Sequence, residues 1–207
     1  MFFFDLDGTL VDSNGIWKQV DKDFLARRNI PYTRAYYDGV AHTALPLAAE
    51  FTKEFCGLQE SCEEIIAEWM DMSRNMYANI PLKPGVREYL DQCLARGIPM
   101  ALVTSSMPEH CHTALERLDL NQYFQNVTFA QQAGMHKRLP DVWLLAAEKN
   151  GVRPEDCTVF DDSAEACKGA KSAGMRTVGV FDRYFNVHTE EMMEVCDQYI
   201  RSFEELL

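Results

Sequence analysis

The sequence predicts an α/β protein: a doubly wound parallel sheet with a small α-helical domain inserted into it. Three observations predict this class: short apolar runs that end in polar residues, helical patterns between those runs, and one long segment that carries helical patterns alone. The 207 residues are enough for one full core and a small insertion, since a domain contains roughly 150 residues. Hydrophobic residues at 47% and charged residues at 25% exclude disordered, collagen-like and coiled-coil chains.

The predicted strands are short apolar runs without polar alternation. Runs of this kind are typical of strands that are buried on both faces of a parallel sheet. The five runs cover residues 2–4, 100–103, 127–130, 158–160 and 177–180.

Helical patterns with marked ends lie between these runs. Proline at a first helical position and glycine after the last turn are characteristic signals of helix ends. They predict a helix over 85–96, helices that open at Pro108 and Pro140, a helix over 164–173 capped by Ser163, and a tail with a helix capped by Thr189 and an edge strand near 199–200. Strands and helices therefore alternate, as in a Rossmann-like, doubly wound core.

The segment 14–81 interrupts this alternation. It contains helical patterns over 16–24, 45–55 and 65–76 and no strand-like run. Turn-forming residues lie at both of its ends. We therefore expect a core domain formed by 1–13 and 82–207, and a helical cap domain formed by 14–81.

The net charge and the cysteine content indicate which partners and which cell compartment to expect. With 20 basic and 32 acidic residues the net charge is -12, which makes nucleic acid and anionic membranes unsuitable partners. The N-terminal MFFFDLDGTL does not look like a secretory signal, and no apolar run has the length of a membrane span. The seven cysteines form no C-x-x-C pair and predict reduced thiols in the cytoplasm. We expect a monomer whose partner is a small molecule.

Polar side chains follow three of the predicted strands. Asp5, Thr104 and the pair Asp161-Asp162 each come directly after or at the end of an apolar run. Ligands of open α/β sheets bind at the carboxyl ends of the strands, so these side chains are expected to converge. Several carboxylates in one small volume require a cation, and an oxygen-only site of this kind suits Mg²⁺. Taken alone, the two aspartates could also be simple N-terminal acids of a helix.

Four motifs in order carry a resemblance to a known family. Residues 5–13 read D-L-D-G-T-L-V-D-S, which resembles the D-x-D-G-T-L-x-D-S opening motif of the haloacid dehalogenase-like hydrolases. The other similar segments are Thr104-Ser105-Ser106, Lys137 with Pro140-Asp141, and Val159 to Ser163 with Ala173-Gly174-Met175. The insertion lies where the subclass resembling beta-phosphoglucomutases and phosphoglycolate phosphatases has its helical cap.

The resemblance implies a catalytic set of Asp5, Asp7, Thr104 and Lys137. Asp5 would attack phosphorus and form an aspartyl-phosphate. Asp7 would protonate the leaving oxygen and then activate water. Lys137 would offset negative charge on Asp5 and on the phosphoryl group. Taken alone, a lysine such as Lys137 would usually be a solvated surface charge.

The same resemblance implies the ligands of the substrate and of the metal. The phosphoryl oxygens would be bound by Thr104, Ser105, Ser106 and Lys137. Mg²⁺ would be held by Asp5, the backbone carbonyl of Asp7, Asp161 and Asp162. The expected activity is that of a Mg²⁺-dependent phosphatase acting on a small phosphorylated metabolite.

Two alternatives remain open. The first is a sugar phosphomutase, in which the substrate takes the phosphoryl group back. Mutases that resemble this chain carry a cap arginine and a cap histidine where His42 and Trp17 stand here. The second alternative is a non-catalytic binding module, against which the presence of Asp5, Asp7 and Lys137 counts.

Other residues have a weaker functional interpretation. Trp17, His42 and Arg74 could contact the rest of the substrate, but core or solvent positions are the simpler expectation for them. Arg138 replaces a proline of the family motif and is expected to face solvent. Asp182-Arg183 could border the active-site cleft or belong only to a loop. The run His110-Cys111-His112 does not form one metal site, because consecutive helical residues point about 100° apart.

Overall fold

A computed structural model describes residues 1–40, 45–184 and 189–207. The chain forms two compact units, of which the first comprises Met1–Asn14 and Ile80–Leu207 and the second comprises Gly15–Asn79. The sequence predicted the insertion over 14–81. Its ends therefore lie one and two residues inside the predicted ones.

The first unit is built on a sheet of six parallel strands. The strands are β1 (Phe2–Phe4), β2 (Met100–Thr104), β3 (Val127–Phe129), β4 (Thr158–Asp161), β5 (Arg176–Val180) and β6 (Gln198–Ile200). Their spatial order is β3-β2-β1-β4-β5-β6, and each neighbouring pair is parallel. The predicted fold class is confirmed, with the expected edge strand near residue 199 as β6.

Along the chain the α-helices lie between and after the strands, and all but one of those described were predicted. In chain order they are α1 (Asn14–Arg27), α2 (Arg34–Val40), α3 (Leu45–Cys56), α4 (Cys62–Tyr77), α5 (Val86–Ala95), α6 (Pro108–Arg117), α7 (Asp141–Lys149), α8 (Ala164–Ser172) and α9 (Thr189–Val195). Short 3-10 helices cover Pro154–Asp156 and Phe203–Leu206. No helix in the described ranges has the length and apolar character that crossing a membrane requires.

Residues of β1 explain why the sheet is covered on both faces. Successive strand residues point to opposite faces. Phe3 belongs to a buried cluster that includes Trp143 of α7. Phe4 stacks on Phe160 with ring centroids 4.5 Å apart, and it contacts Tyr89 of α5. An apolar run therefore forms a central strand here, since every side chain in it has a hydrophobic partner.

The described part of the second unit, residues 15–40 and 45–79, contains four helices, where the sequence patterns predicted three. The additional helix, α2, is seven residues long and has one buried residue, Tyr36. A helix of two turns with a single buried side chain shows too little periodicity to be recognised in a sequence. The last helix, α4, begins with a capping box in which Ser61 and Glu64 bond each other's backbone N–H groups.

In the first unit, three helix starts differ from the prediction by one residue. Gly85 is the N-cap of α5, which begins at Val86 and not at residue 85. Pro140 is the N-cap of α7 and not its first residue, because its carbonyl accepts bonds from the N–H groups of Trp143 and Leu144. Thr189 is the first residue of α9 and not its cap. Ser163 does cap α8 as expected, by accepting a bond from the N–H of Ala166. All seven cysteines are free thiols.

Candidate active site

The strand ends bring the predicted acids to one edge of the sheet. Phe4, the last residue of β1, lies between Leu102 of β2 and Phe160 of β4 in the strand register. Asp5 therefore follows β1 at the level of Asp161, and its N–H donates to the carbonyl of Phe160. This adjacency exists because β1 and β4 are neighbours in space, although Asp5 and Asp161 are 156 positions apart in the sequence.

Asp5, Asp161 and Asp162 form a carboxylate cluster. One oxygen from each lies within 4.8 Å of the others, and the three residues are 4%, 0% and 7% exposed. Burial raises the pKa of Asp161 to about 6, and it raises the pKa of Asp5 and Asp162 as well, with repulsion between neighbouring carboxylates adding to the effect. Three buried acids with an oxygen-only donor set fit a hard divalent cation such as Mg²⁺.

Lys137 joins this cluster. Its Nζ lies 2.6 Å from Oδ1 of Asp5 and 2.7 Å from Oδ2 of Asp161. Burial opposes the charge on this ammonium, but the two carboxylates outweigh that effect and raise the pKa of Lys137 above its usual value. Lys137 is therefore a permanent cation between two of the acids. The interpretation of Lys137 as a solvated surface charge is wrong.

The backbone of Lys137 is fixed by two residues that sequence reasoning did not single out for this role. The carbonyl of Lys137 accepts a bond of 2.8 Å from Nε1 of Trp143. It also lies against Gly169 of α8, where a Cβ atom would come within 2.1 Å of it. A glycine in a helix interior is unfavourable and often marks such a close approach, so Gly169 was the available signal.

Asp162 is held from the opposite side by the first motif. Nδ2 of Asn14 donates to Oδ2 of Asp162 at 2.7 Å, and Oγ1 of Thr9 donates to Oδ1 at 3.4 Å. Gly8 has a φ of 78°, and a Cβ atom there would meet both Asn14 Nδ2 and Asp162 Oδ2 at 2.1 Å. Gly8 therefore permits the turn to pack against Asp162. Asn14 was interpreted only as part of a turn, and nothing in its local sequence indicated this contact.

Asp7 occupies a different position from the three clustered acids. Its Oδ1 accepts a bond of 2.5 Å from Oγ of Ser13, the last residue of the first motif. Its charge contributes to raising the pKa of Asp5, so the two carboxyl groups share one electrostatic environment. The carboxylate cluster defined above comprises Asp5, Asp161 and Asp162 and does not include the carboxylate of Asp7. From the sequence, the backbone carbonyl of Asp7 is assigned to the metal, and this assignment stays a prediction.

The hydroxyl motif follows β2. Thr104 is fully buried, and its Oγ1 accepts a bond of 3.0 Å from the N–H of Ser106. Oγ of Ser106 is buried without a hydrogen-bond partner among the described residues, whereas Ser105 is exposed. A buried hydroxyl without a partner is costly, so Ser106 has donor and acceptor capacity for a ligand.

The remaining sequence candidates differ in their exposure and in their partners. Arg74 in the second unit is half exposed and pairs with Asp71 at 2.8 Å, and Arg138 is exposed. Trp17 is half-buried on α1 and not a fully buried core residue. His42 lies outside the described residues. Along the run 110–112, His112 packs edge-on against Phe129, and the described residues hold no histidine or cysteine metal cluster there.

Comparisons with known proteins identify the family of this chain and several relatives. A family model for haloacid dehalogenase-like hydrolases matches residues 2–180. A phosphorylated carbohydrates phosphatase of Thermotoga maritima is 28% identical over 176 residues, which are 84% of this chain and 82% of the relative. Hexitol phosphatase B of Escherichia coli is 27% identical over 186 residues, or 86% of this chain and 81% of the relative.

A solved structure shares the whole fold. A Thermotoga maritima protein assigned as a beta-phosphoglucomutase superposes with a TM-score of 0.81 at 26% identity, covering 100% of this chain and 95% of that one. The curated relatives named above are phosphatases, and the enzyme class that they indicate for this chain is phosphoric monoester hydrolase. The motifs, the sheet order and the family match together show that the chain belongs to the haloacid dehalogenase-like hydrolases.

Proposed function

We propose that this protein is a Mg²⁺-dependent phosphatase that hydrolyses a small phosphorylated metabolite through an aspartyl-phosphate on Asp5. The observation that carries the proposal is the position of Asp5. It is a buried carboxylate at the end of a central strand, paired with Lys137 and beside two further acids. A nucleophile in this position can meet a phosphoryl group whose charge is offset from several sides.

The metal has an identifiable set of ligands. Asp5, Asp161 and Asp162 would hold Mg²⁺ with their carboxylates, and Asp7 would add its backbone carbonyl. When bound, Mg²⁺ offsets the negative charge of the acids and of the phosphoryl group. Asn14 and Lys137 support the proposal, since they orient Asp162 and Asp161 by direct contacts of 2.7 Å each.

The proposed reaction consists of two displacements. A carboxylate oxygen of Asp5 attacks phosphorus, the bond from phosphorus to the ester oxygen breaks, and Asp7 gives a proton to the leaving alcohol. Asp7 then takes a proton from water, which attacks the phosphorus of the aspartyl-phosphate and releases inorganic phosphate and the Asp5 carboxylate. Thr104, Ser105, Ser106 and nearby N–H groups bind the phosphoryl oxygens, for which the free Oγ of Ser106 is suited.

For the substrate class we propose phosphorylated carbohydrates and polyols. The relatives' names point to this class, since one acts on phosphorylated carbohydrates and another is a hexitol phosphatase. The mutase alternative is not favoured, because these relatives are phosphatases and the chain lacks the cap arginine and histidine of the mutases it resembles. Release of inorganic phosphate, in contrast to isomerisation of the sugar phosphate, distinguishes the two.

We further propose that the second unit, Gly15–Asn79, acts as a cap that selects the substrate, and that the protein is a cytoplasmic monomer. Trp17 tests the first part: Trp17→Ala is expected to change the ratio of kcat/KM values between a hexose phosphate and a short phosphate ester. An unchanged ratio would contradict a cap role for this residue. Sedimentation of the purified protein and fractionation of cells test the other two parts.

The central experiment compares the wild type with Asp5→Asn. We expect phosphate release from a panel of sugar and polyol phosphates to require Mg²⁺ and to fall about 1000-fold or more in Asp5→Asn. Asp71→Asn is the matched control, because Asp71 is an exposed acid of the second unit. Full activity of Asp5→Asn, or activity without any divalent cation, would contradict the proposal.

A further inference from the structure

The loop that follows β5 carries two consecutive charged residues, Asp182 and Arg183. Each pairs with a different segment of the first unit. Oδ2 of Asp182 lies 3.0 Å from Nζ of Lys83, and the guanidinium of Arg183 lies 3.0 Å from Oδ2 of Asp12. The two pairs differ in burial, because the Lys83 and Asp182 side chains are 11% and 0% exposed and that of Arg183 is 63% exposed.

Lys83 makes further contacts. Its Nζ donates to the carbonyl of Phe181 at 2.7 Å and to the carbonyl of Gly8. The contact with Asp182 is an ion pair that lacks hydrogen-bond geometry at Oδ2, while Oδ1 of Asp182 accepts a bond from the N–H of Tyr184. The two carbonyls thus take directed bonds from Lys83, and Asp182 balances its charge.

The backbone and the side chain of Lys83 both contact the same turn, which is formed by residues 7–11. The N–H of Lys83 donates to the carbonyl of Leu10 at 2.9 Å, and Val11 and Leu82 form an antiparallel bridge. The turn itself is closed by a bond of 2.9 Å from the N–H of Gly8 to the carbonyl of Val11. With its backbone fixed to one end of the turn, Lys83 reaches across to the carbonyl of Gly8.

The Gly8 carbonyl is one residue away from the Asp7 carbonyl that we propose as a metal ligand. Gly8 also packs against Asp162, as the space around its Cα shows. A change in the orientation of the Gly8 peptide would therefore move Asp7 and the contact with Asp162 together. Because a misplacement of about 1 Å can reduce a rate about 100-fold, restraint of this peptide matters for the reaction.

We propose that Lys83 is a positioning residue for the reaction on Asp5: it holds the Gly8 peptide in place, and Asp182 serves as its buried counter-ion. This inference rests on the proposed function. Lys83 itself does not contact the phosphoryl group in this mechanism. Arg183 lies on the same loop as Asp182 and forms a more exposed ion pair with Asp12, so it provides a matched control.

The test compares Lys83→Met, Asp182→Asn, the double variant Lys83→Met/Asp182→Asn and Arg183→Met. For a small aryl phosphate in saturating Mg²⁺, we expect Lys83→Met to lower kcat about 10- to 100-fold with KM changed less than about threefold. Asp182→Asn retains both carbonyl contacts of Lys83, and its kcat is expected to be about threefold to tenfold below that of the wild type. The kcat of Arg183→Met is expected to stay within about twofold of the wild-type value.

Stability separates positioning from a merely structural role. Lys83→Met leaves Asp182 buried without its partner, so its Tm should fall, and neutralising Asp182 in the double variant should restore the Tm. We expect kcat of the double variant to stay low in spite of the restored Tm. If kcat recovers together with the Tm, Lys83 has only a structural role and the proposal is overturned.

Hydrogen exchange gives a second measurement that does not depend on turnover. In metal-free protein, Lys83→Met should increase amide exchange in a peptide covering residues 6–12 and leave a peptide covering β5 unchanged. Equal increases in both peptides would also overturn the proposal. Absence of Mg²⁺-dependent turnover in the wild type would instead contradict the proposed function, and the exchange result would still show whether Lys83 restrains the turn.

Discussion

Two charged clusters, one in each unit, differ in their balance of acidic and basic side chains. In the first unit, Asp5, Asp161 and Asp162 share one lysine, so buried acids outnumber the cation. In the second unit, Arg27 and Arg28 pair with Glu60 and Glu68, which gives equal numbers of each sign in a half-exposed network. Arg28 also lies 3.7 Å from the ring centroid of Phe24.

The pKa values of the acids in the two clusters move in opposite directions. Burial raises the pKa of Asp161 to about 6, whereas hydrogen bonding to Arg28 lowers the pKa of Glu68 below its usual value. For an acid, a raised pKa means that the folded state carries the negative charge at a cost, and a lowered pKa means that the charge stabilises the fold. The unbalanced cluster therefore fits the proposed role in binding a cation and in catalysis, while the balanced network joins helices of the second unit.

Among the substitutions considered, that of Lys137 should have the largest effect on activity and stability. Lys137→Met leaves Asp5 and Asp161 without their shared cation, so we expect activity to fall about 100- to 1000-fold and the free energy of unfolding of metal-free protein to fall by about 3–5 kcal/mol. Phosphate release and urea unfolding measure the two effects. Lys149→Met, at an exposed position of α7, is the control and should change neither.

Mg²⁺ should stabilise the unbalanced cluster in a pH-dependent way. The folded pKa of Asp161, about 6, lies above the ordinary value of 3.8, so the metal-free fold loses stability as pH rises from about 4 through about 6. A Mg²⁺ concentration of 100 times the Kd measured at pH 8 should add about 2.7 kcal/mol to the free energy of unfolding at pH 8. The same concentration should add clearly less at pH 5, where protons compete with the metal for the carboxylates. Thermal unfolding with and without Mg²⁺ measures this. Equal stabilisation at both values would refute it.

In the balanced network, substitution should affect stability alone. Arg28→Met removes ion pairs with two glutamates and the contact with the Phe24 ring, so we expect a loss of about 1–2 kcal/mol. The kcat of the variant, measured at a temperature where it is fully folded, should stay within about twofold of the wild type. A large loss of kcat would show that the two clusters are not separate in function.

The smallest effect is expected at Asp21, an acid of the second unit without a cationic partner in the ion pairs above. Burial raises the pKa of Asp21 to about 6, and the hydroxyl of Tyr36 donates to its Oδ1 at 3.3 Å. The folded state therefore loses stability as pH rises from about 4 through about 6. Asp21→Asn should remove this loss and stabilise the protein by about 1 kcal/mol at pH 8, after allowance for partial exposure, and by almost nothing at pH 4.

Urea unfolding at the two pH values measures the Asp21 effect. Asp23→Asn, two residues further along α1, is the control. The same stabilisation at pH 4 and pH 8 would mean that the charge of Asp21 is not its cause.

The sequence determined the elements of this fold and the chemical types at its active edge. Runs such as Phe2-Phe3-Phe4 have no polar alternation, so they are stable only between two hydrophobic layers, and the parallel sheet follows. Asp5, Thr104 and Asp161 could be assigned to one edge, because the carboxyl ends of parallel strands lie on the same side. The short helix α2 escaped prediction because a single buried residue gives no periodicity.

Which side chains meet at that edge became clear only from the three-dimensional structure. Asn14 contacts Asp162 across 148 residues, and Lys83 contacts Asp182 and the carbonyl of Gly8, although local sequence marks each as an ordinary turn residue. Sequence patterns report the local conformation of a segment. The partner of a polar side chain depends instead on which strands are neighbours, and here β1 lies between β2 and β4. Long-range order of this kind arises from the packing of the whole sheet.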